Sequence, residues 1–292
     1  MGKKRTIIPR LMFGCALLFA AIAFDSRYRI ETSVYELYSS RLPAGFDGFR
    51  VVQISDLHGM DFGGTSDSGA GNARLIEAVA EAEPDLIALT GDFVEKAADV
   101  EELELLLREL TKLAPCYFVS GNHDWASGAI DELTEMLERC GVRYLRNEYE
   151  VLERGGDRII LGGVEDPNGY ADQPRPPEFV ETVRGSYPEE YMLLLGHRNY
   201  WMERYPALDV DTVLCGHAHG GIVRLPFVGA VLGTHFDLFP EHTEGVYRGG
   251  RYNLVVSRGL GGSFVPRFNN NAHLPVIVLA RDRALQCATD KR

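Results

Sequence analysis

Five short apolar segments, each with the composition of a buried strand, end directly in side chains that can bind metal ions. The segments are VVQIS, LIALT, CYFVS, MLLLG and VLCG, and together they span more than half of the chain. Because the carboxyl ends of strands in an open α/β sheet border one crevice, we expect the side chains that follow them to converge. These side chains are Asp56, His58, Asp92, Asn122, His123, Asp124, His197, His217 and His219.

Helical segments alternate with these strands. Apolar residues at helical spacing predict helices over residues 72–83, 100–113 and 127–141, the last with Ser127 as its N-cap. Further strands are predicted near residues 142–153 and 157–163 and in the β-rich C-terminal part. The alternation predicts an α/β fold with largely parallel strands. The additional strands favour two sheets packed together, with helices outside.

The residue types at the strand ends indicate one kind of chemistry. Each alone is ordinary, since Gly-Asp and Gly-Asn pairs are common in turns and a single His is usually structural. Together, two Asp, one Asn and four His offer seven nitrogen and oxygen ligands without a thiolate, which is unlike a closed structural zinc site. Seven ligands are too many for one ion but suit two that share a carboxylate. Such a pair can clamp a phosphoryl group.

The order of these motifs, D-x-H, GD, GNHD, GH and GHAHGG, resembles that of the calcineurin-like metallophosphoesterases. The resemblance covers roughly residues 48–281 and implies a four-layer α/β/β/α sandwich with a two-metal site. The stretches GFRVVQISDLHG, GHAHGGIVRLP and SRGLGGS are most similar to a membrane-associated branch of that family. That branch includes phosphodiesterases and a pyrophosphatase that cleaves UDP-2,3-diacylglucosamine.

The resemblance also implies a role for each motif residue. The first metal ion would be held by Asp56, His58 and His219. The second would be held by Asn122, His197 and His217, with Asp92 bridging the two ions. His123 would face the substrate, as a proton donor or a stabiliser of phosphoryl charge, and Asp124 would orient its ring.

The implied activity is hydrolysis of a phosphodiester or pyrophosphate bond by a metal-bridging hydroxide. The ligand types favour Mn²⁺, with iron and zinc as alternatives. The expected substrate is a small phosphorylated molecule, in particular a lipid-linked or nucleotide compound. Two alternatives stay open: a phosphomonoester or phosphoprotein phosphatase, and a metal-binding scaffold of the same fold without turnover. The formal net charge of −12 argues against a nucleic-acid partner.

The N-terminal residues predict export or attachment to a membrane. Four cations, Lys3, Lys4, Arg5 and Arg10, flank the apolar run LMFGCALLFAAIAF. We interpret residues 1–24 as a signal peptide or signal anchor, which places the catalytic domain outside the cytoplasm. Residues 25–47 are interpreted as a connecting arm and residues 48–285 as the metallophosphoesterase domain.

Several other features are weaker. Arginines near the motifs could bind substrate phosphate, although structural roles are favoured; they are Arg198, Arg224, Arg258 and Arg267. Asp166 could support the site or belong to a plain turn. The apolar stretch 225–240 could touch lipid, cover the site or be buried against the sheets, and burial is favoured. RGLGGS lacks the βαβ context of a dinucleotide loop. We expect no ligand role for His235, His242 or His273, and structural thiols for the cysteines.

Overall fold

A computed structural model describes residues 4–60, 72–234, 236–261 and 267–282. The helices are α1 (Lys4–Tyr28), α2 (Ala73–Glu81), α3 (Ala98–Leu113), α4 (Asn122–Ala126), α5 (Ile130–Cys140), α6 (Pro176–Ser186) and α7 (Trp201–Arg204). The strands are β1 (Ile30–Ser39), β2 (Arg50–Ile54), β3 (Leu86–Thr90), β4 (Cys116–Val119), β5 (Arg143–Tyr144), β6 (Glu148–Arg154), β7 (Asp157–Gly163), β8 (Met192–Leu195), β9 (Thr212–Cys215), β10 (Val223–Leu225), β11 (Gly229–Leu232), β12 (Gly245–Arg248), β13 (Asn253–Val256) and β14 (Ala272–Arg281).

The strands form two six-stranded sheets and a separate hairpin. The first sheet has the order β1-β14-β2-β3-β4-β5, and the second has the order β12-β13-β9-β8-β7-β6. The neighbours β2, β3, β4 and β5 are parallel, as are β7, β8, β9 and β13. β10 and β11 pair with each other as the hairpin. The largely parallel pairing agrees with the alternation of strands and helices in the sequence.

Three apolar clusters define four layers. One cluster lies between the sheets and joins side chains such as Val51, Ala88, Leu193 and Leu214. The second packs α2, α3 and α5 on the outer face of the first sheet. The third packs α6 and α7 on the outer face of the second sheet. The α/β/β/α sandwich is thereby confirmed.

The structure differs from the sequence predictions in three local features. The segment 25–47, interpreted as an arm, contains β1, which pairs in parallel with β14 at the edge of the first sheet. The prediction that Ser127 caps α5 is wrong. Ser127 follows the short helix α4, and α5 begins at Ile130. The prediction that the stretch 225–240 is buried is also wrong, since Phe236 is 69% exposed and Leu238 is 74% exposed.

The thiols of Cys116, Cys140 and Cys215 are free and buried, as expected for structural cysteines. Burial raises the pKa of Cys116 to about 12, which keeps this thiol unreactive. Across the described ranges, no helix combines the length and apolar character needed to cross a bilayer. The division of the chain at residues 24 and 47 stays a prediction.

Candidate metal centre

The predicted ligands meet where the two sheets present the carboxyl ends of their parallel strands. Donor atoms of six of these ligands and of His123 form three overlapping groups, within each of which all atoms lie within 4.8 Å of one another. The groups are Asp56, His58 and His219; His58, Asp92 and His123; and Asp92, His197 and His217. Asp92 belongs to two of the three groups. This shared position is what a carboxylate bridging two ions requires.

The loops that carry these ligands adopt unusual backbone conformations. Five predicted ligands lie in the left-handed region, with φ between 50° and 68°: Asp56, His58, Asp92, His217 and His219. A side chain in that region costs about 1–3 kcal/mol and persists only when its surroundings enforce it. Backbone strain of this kind is typical of functional sites.

Glycines beside the ligands permit a close approach of these loops. A Cβ atom on Gly121 would lie 2.1 Å from Oδ1 of Asp92, and one on Gly216 would lie 2.2 Å from Oδ2 of Asp56. Gly91 has a φ of 85°, and a Cβ there would lie 2.6 Å from the backbone nitrogen of Gly121. Gly91, Gly121 and Gly216 are therefore required by the close packing of the loops around the carboxylates.

The arrangement of donor atoms fits bound cations. Nε2 of His58 and Nε2 of His219 face each other at 3.3 Å, and Nε2 of His197 lies 3.0 Å from Oδ2 of Asp92. Within the described part of the chain, Oδ1 of Asn122 is buried without a hydrogen-bond partner. Buried polar atoms are rarely left in this state. A metal ion bound to Asn122 would satisfy this oxygen.

Contacts behind the ligands fix their orientation. Nδ1–H of His197 donates to the carbonyl oxygen of Thr90 at 2.9 Å, which leaves Nε2 directed at the site. The backbone N–H of His217 donates to Oδ1 of Asp56 at 3.0 Å. Ligands from the two sheets are thus connected directly.

The electrostatics also favour cations. Burial lowers the pKa of His219 to about 3, so this imidazole is neutral and can act as a ligand. Burial opposes charge on Asp92 and on His197, but their mutual attraction outweighs it. The pKa of Asp92 is held well below its usual range, and that of His197 is raised to about 10. In the absence of metal, Asp92 is therefore a carboxylate paired with the protonated imidazole of His197. A bound cation would displace that proton.

The expectation that Asp124 orients the ring of His123 is wrong. The buried carboxylate of Asp124 instead accepts four backbone N–H groups. They belong to Asp92, Phe93, Val94 and Gly121, at 2.8 to 3.1 Å. Asp124 therefore ties the loop after β3 to the start of α4. Burial, together with the charge of Asp92, raises its pKa, whereas the N–H donors oppose this shift.

Glu95 has the contacts expected of Asp124. Its Oε2 lies 2.9 Å from Nδ1 of His123, and its Oε1 contacts Nδ1 of His58. The two imidazoles pack edge to face with ring centroids 4.9 Å apart. Sequence reasoning missed Glu95, which lies three residues beyond Asp92 and outside any strand-end motif. A carboxylate close after the GD pair was the only local signal.

Among the weaker candidates, Arg198 and Asp166 adjoin the centre. Nε and Nη2 of Arg198 donate to the two carboxylate oxygens of Asp166 at 2.6 and 3.0 Å. Nη1 of Arg198 lies 3.2 Å from Nε2 of His217. Asp166 is fully buried and Arg198 only partly so. The pairing fixes the positively charged guanidinium of Arg198 at the edge of the centre.

The other arginines have structural partners. Arg224 and Arg258 pair with Glu244, and Arg267 donates to backbone carbonyls that include those of Gly261 and His219. Residues 258–261, the described part of the RGLGGS segment, pack against the loop after β2. The N–H groups of Leu260 and Gly261 donate to the carbonyls of Ser55 and Asp56, beside a first-group ligand.

The remaining histidines that the structure describes lie outside the three groups. The described part of the chain does not include His235, whereas His273 is fully buried and its Nδ1 accepts the N–H of Arg258 at 3.2 Å. His242 lies in a separate group with Glu203 and Glu241, two exposed carboxylates.

Comparison with known proteins identifies related phosphoesterases. Residues 49–221 match the family model described as calcineurin-like phosphoesterase. The chain is 29% identical to the uncharacterized metallophosphoesterase YkuE of Bacillus subtilis, with 86% of each chain covered. It is 27% identical to the phosphodiesterase YaeI of Escherichia coli, with 90% of this chain and 95% of the relative covered. A purple acid phosphatase from yellow lupin aligns with a TM-score of 0.49 and 13% identity, covering 82% of this chain and 55% of that one.

Proposed function

Because the chain belongs to the calcineurin-like phosphoesterase family and is a phosphoric ester hydrolase, we propose that it cleaves phosphodiester or pyrophosphate bonds at a dinuclear metal centre. Asp56, His58 and His219 would hold one ion. Asn122, His197 and His217 would hold the other, with Asp92 between them. The observation that carries this proposal is the membership of Asp92 in two ligand groups.

Two bound divalent ions would polarise the phosphoryl group and activate a water molecule for attack. The protein's own residues then determine how the substrate is bound and protonated. His123 is suited to protonate the leaving oxygen, because its side chain is 41% exposed and Glu95 engages Nδ1. Nε2 is then directed away from Glu95. Arg198, held by Asp166, supplies a positive charge for a phosphate oxygen.

For substrate and metal we propose a small phosphodiester, nucleotide or lipid-linked pyrophosphate, and Mn²⁺. The relative named as a phosphodiesterase supports the diester class. A location outside the cytoplasm, with attachment through residues 1–24, is part of the same proposal. The cationic and apolar N-terminal sequence supports it.

The test is hydrolysis of bis-p-nitrophenyl phosphate by the full chain, with Mn²⁺ or with a chelator. We expect turnover that requires metal and is lost in Asp92→Ala and His123→Ala, while metal binding is retained in His123→Ala. His242→Ala, which removes an imidazole outside the centre, is the matched control. Preference for p-nitrophenyl phosphate would instead indicate a phosphomonoesterase. Two bound metal equivalents without turnover on either ester would indicate a scaffold.

A further inference from the structure

Two segments expose large apolar side chains. In the stretch 225–239, Phe227 is fully exposed, and Phe236, Leu238 and Phe239 are 69%, 74% and 65% exposed. Along α1, side chains such as Phe13 are exposed to a similar degree. Scattered single apolar residues are normal on a protein surface, but a dense group of them marks an interaction site. We call the exposed apolar side chains of α1 and of 225–239 the apolar platform.

The two segments of the apolar platform meet at one turn of the fold. Phe19 of α1 stacks on Phe268, with ring centroids 4.9 Å apart. The backbone of Phe268 in turn exchanges hydrogen bonds with Ile222 and Arg224, at the base of the β10-β11 hairpin. The backbone N–H of Asn270 donates to Oγ of Ser26 at 3.2 Å. The two segments of the apolar platform are therefore connected through this turn.

The same turn is connected to the metal centre. The Asn270 side-chain amide donates to the carbonyl oxygens of His219 and Gly221 at 2.7 and 2.6 Å. Arg224 donates to the carbonyl of Gly220 at 2.7 Å. The stretch 225–239 also begins only six residues after His219. A surface bound by the apolar platform would thus lie beside the metal centre in a fixed relation to it.

The charge distribution indicates what binds there. The first ten residues of the sequence contain four cations, although the whole chain has a formal net charge of −12. Lys and Arg beside exposed Phe and Leu are typical of segments that bind the interface of an anionic bilayer. The apolar side chains would enter the interface, and the cations would contact lipid phosphates.

We propose that the apolar platform docks on an anionic lipid bilayer, with residues 225–239 as a second attachment element beside α1. Docking would bring the metal centre to the bilayer surface, where a phosphoester in a lipid headgroup becomes accessible. The docking itself does not depend on the proposed hydrolysis. Binding and turnover can therefore fail independently.

The test is flotation of the full chain with vesicles of phosphatidylcholine, with and without phosphatidylglycerol. The variant is the triple substitution Phe227→Ser, Phe236→Ser and Leu238→Ser, and Leu105→Ser, an exposed apolar residue of α3, is the matched control. We expect binding that increases with phosphatidylglycerol, is at least about tenfold weaker in the triple variant and is unchanged in the control. Thermal unfolding and hydrolysis of the soluble diester should be unaffected by the triple substitution.

Equal vesicle binding by the wild type and the triple variant would overturn the proposal, as would an absence of binding by the wild type. A wild-type dimer that becomes a monomer in the triple variant, without vesicle binding, would assign the platform to self-association instead. Absent hydrolysis with normal flotation would refute the proposed function and leave the docking in place.

Discussion

Replacement of Asp124 by Asn separates a structural from a catalytic role for this carboxylate. Its two oxygens accept four backbone N–H groups, with Asp92 and Gly121 on Oδ2 and Phe93 and Val94 on Oδ1. An amide offers an oxygen on one side only. Whichever way it turns, two buried N–H groups then face an NH₂ donor.

Each buried donor without an acceptor costs about 1–3 kcal/mol, so Asp124→Asn should lose about 2–6 kcal/mol of stability. That is a large part of the about 5–15 kcal/mol that keeps a typical domain folded. The free energy of unfolding should be measured by urea titration in the presence of a chelator, so that loss of metal does not contribute. The control is Asp131→Asn, at an exposed position in the first turn of α5.

We expect Asp131→Asn to remain within about 0.5 kcal/mol of the wild type. Metal affinity should also fall in Asp124→Asn, because the same hydrogen bonds hold the loop that carries Asp92. A variant that retains wild-type stability and metal affinity but loses hydrolysis would refute this reasoning. It would restore the original view of Asp124 as a partner of the catalytic imidazole.

Three further predictions concern residues around the metal centre. Glu95→Gln should weaken metal binding about 10–100-fold in calorimetric titration, because a neutral amide no longer supports the two imidazoles it contacts; unchanged affinity would show that these contacts are incidental. Arg198→Lys should raise KM for the diester more than it lowers kcat, and Asp166→Asn should act in the same direction, since each substitution ends the bidentate pairing. A normal KM in both variants would exclude contact between Arg198 and the substrate. Gly216→Ala should lose about 1–3 kcal/mol in urea unfolding, whereas Gly185→Ala, with nothing described within 4 Å of the added carbon, should not be destabilised.

The strand-end motifs could be recognised from the sequence because both of their components are local. A run such as LIALT predicts a buried strand, and the Gly-Asp pair after it predicts a turn with a carboxylate. The rule that parallel strands present their carboxyl ends at one edge then brings distant ligands together without any further information. The α/β class and the ligand groups around Asp92 follow from these patterns.

Contacts between residues distant in sequence determined two features that these local patterns do not encode, the strand β1 and the exposure of residues 225–239. β1 reads as a polar, alternating segment, and it becomes a strand only through β14, more than 230 residues away. Whether 225–239 is buried depended on which surfaces the other elements had already covered, and an apolar sequence is compatible with a core or with an interface.

The dependence on contacts distant in sequence also explains why Glu95, and not Asp124, contacts the ring of His123. The family resemblance implied Asp124 as the partner of His123, but the chain turns into α4 and directs that carboxylate at the backbone N–H groups after β3. Glu95 reaches the imidazole from another loop. The sequence by itself determined which side chains arrive at the centre, because strand ends fix their position. Only the tertiary structure decided which of them contact one another, because side-chain contacts depend on the relative placement of loops that are distant in sequence.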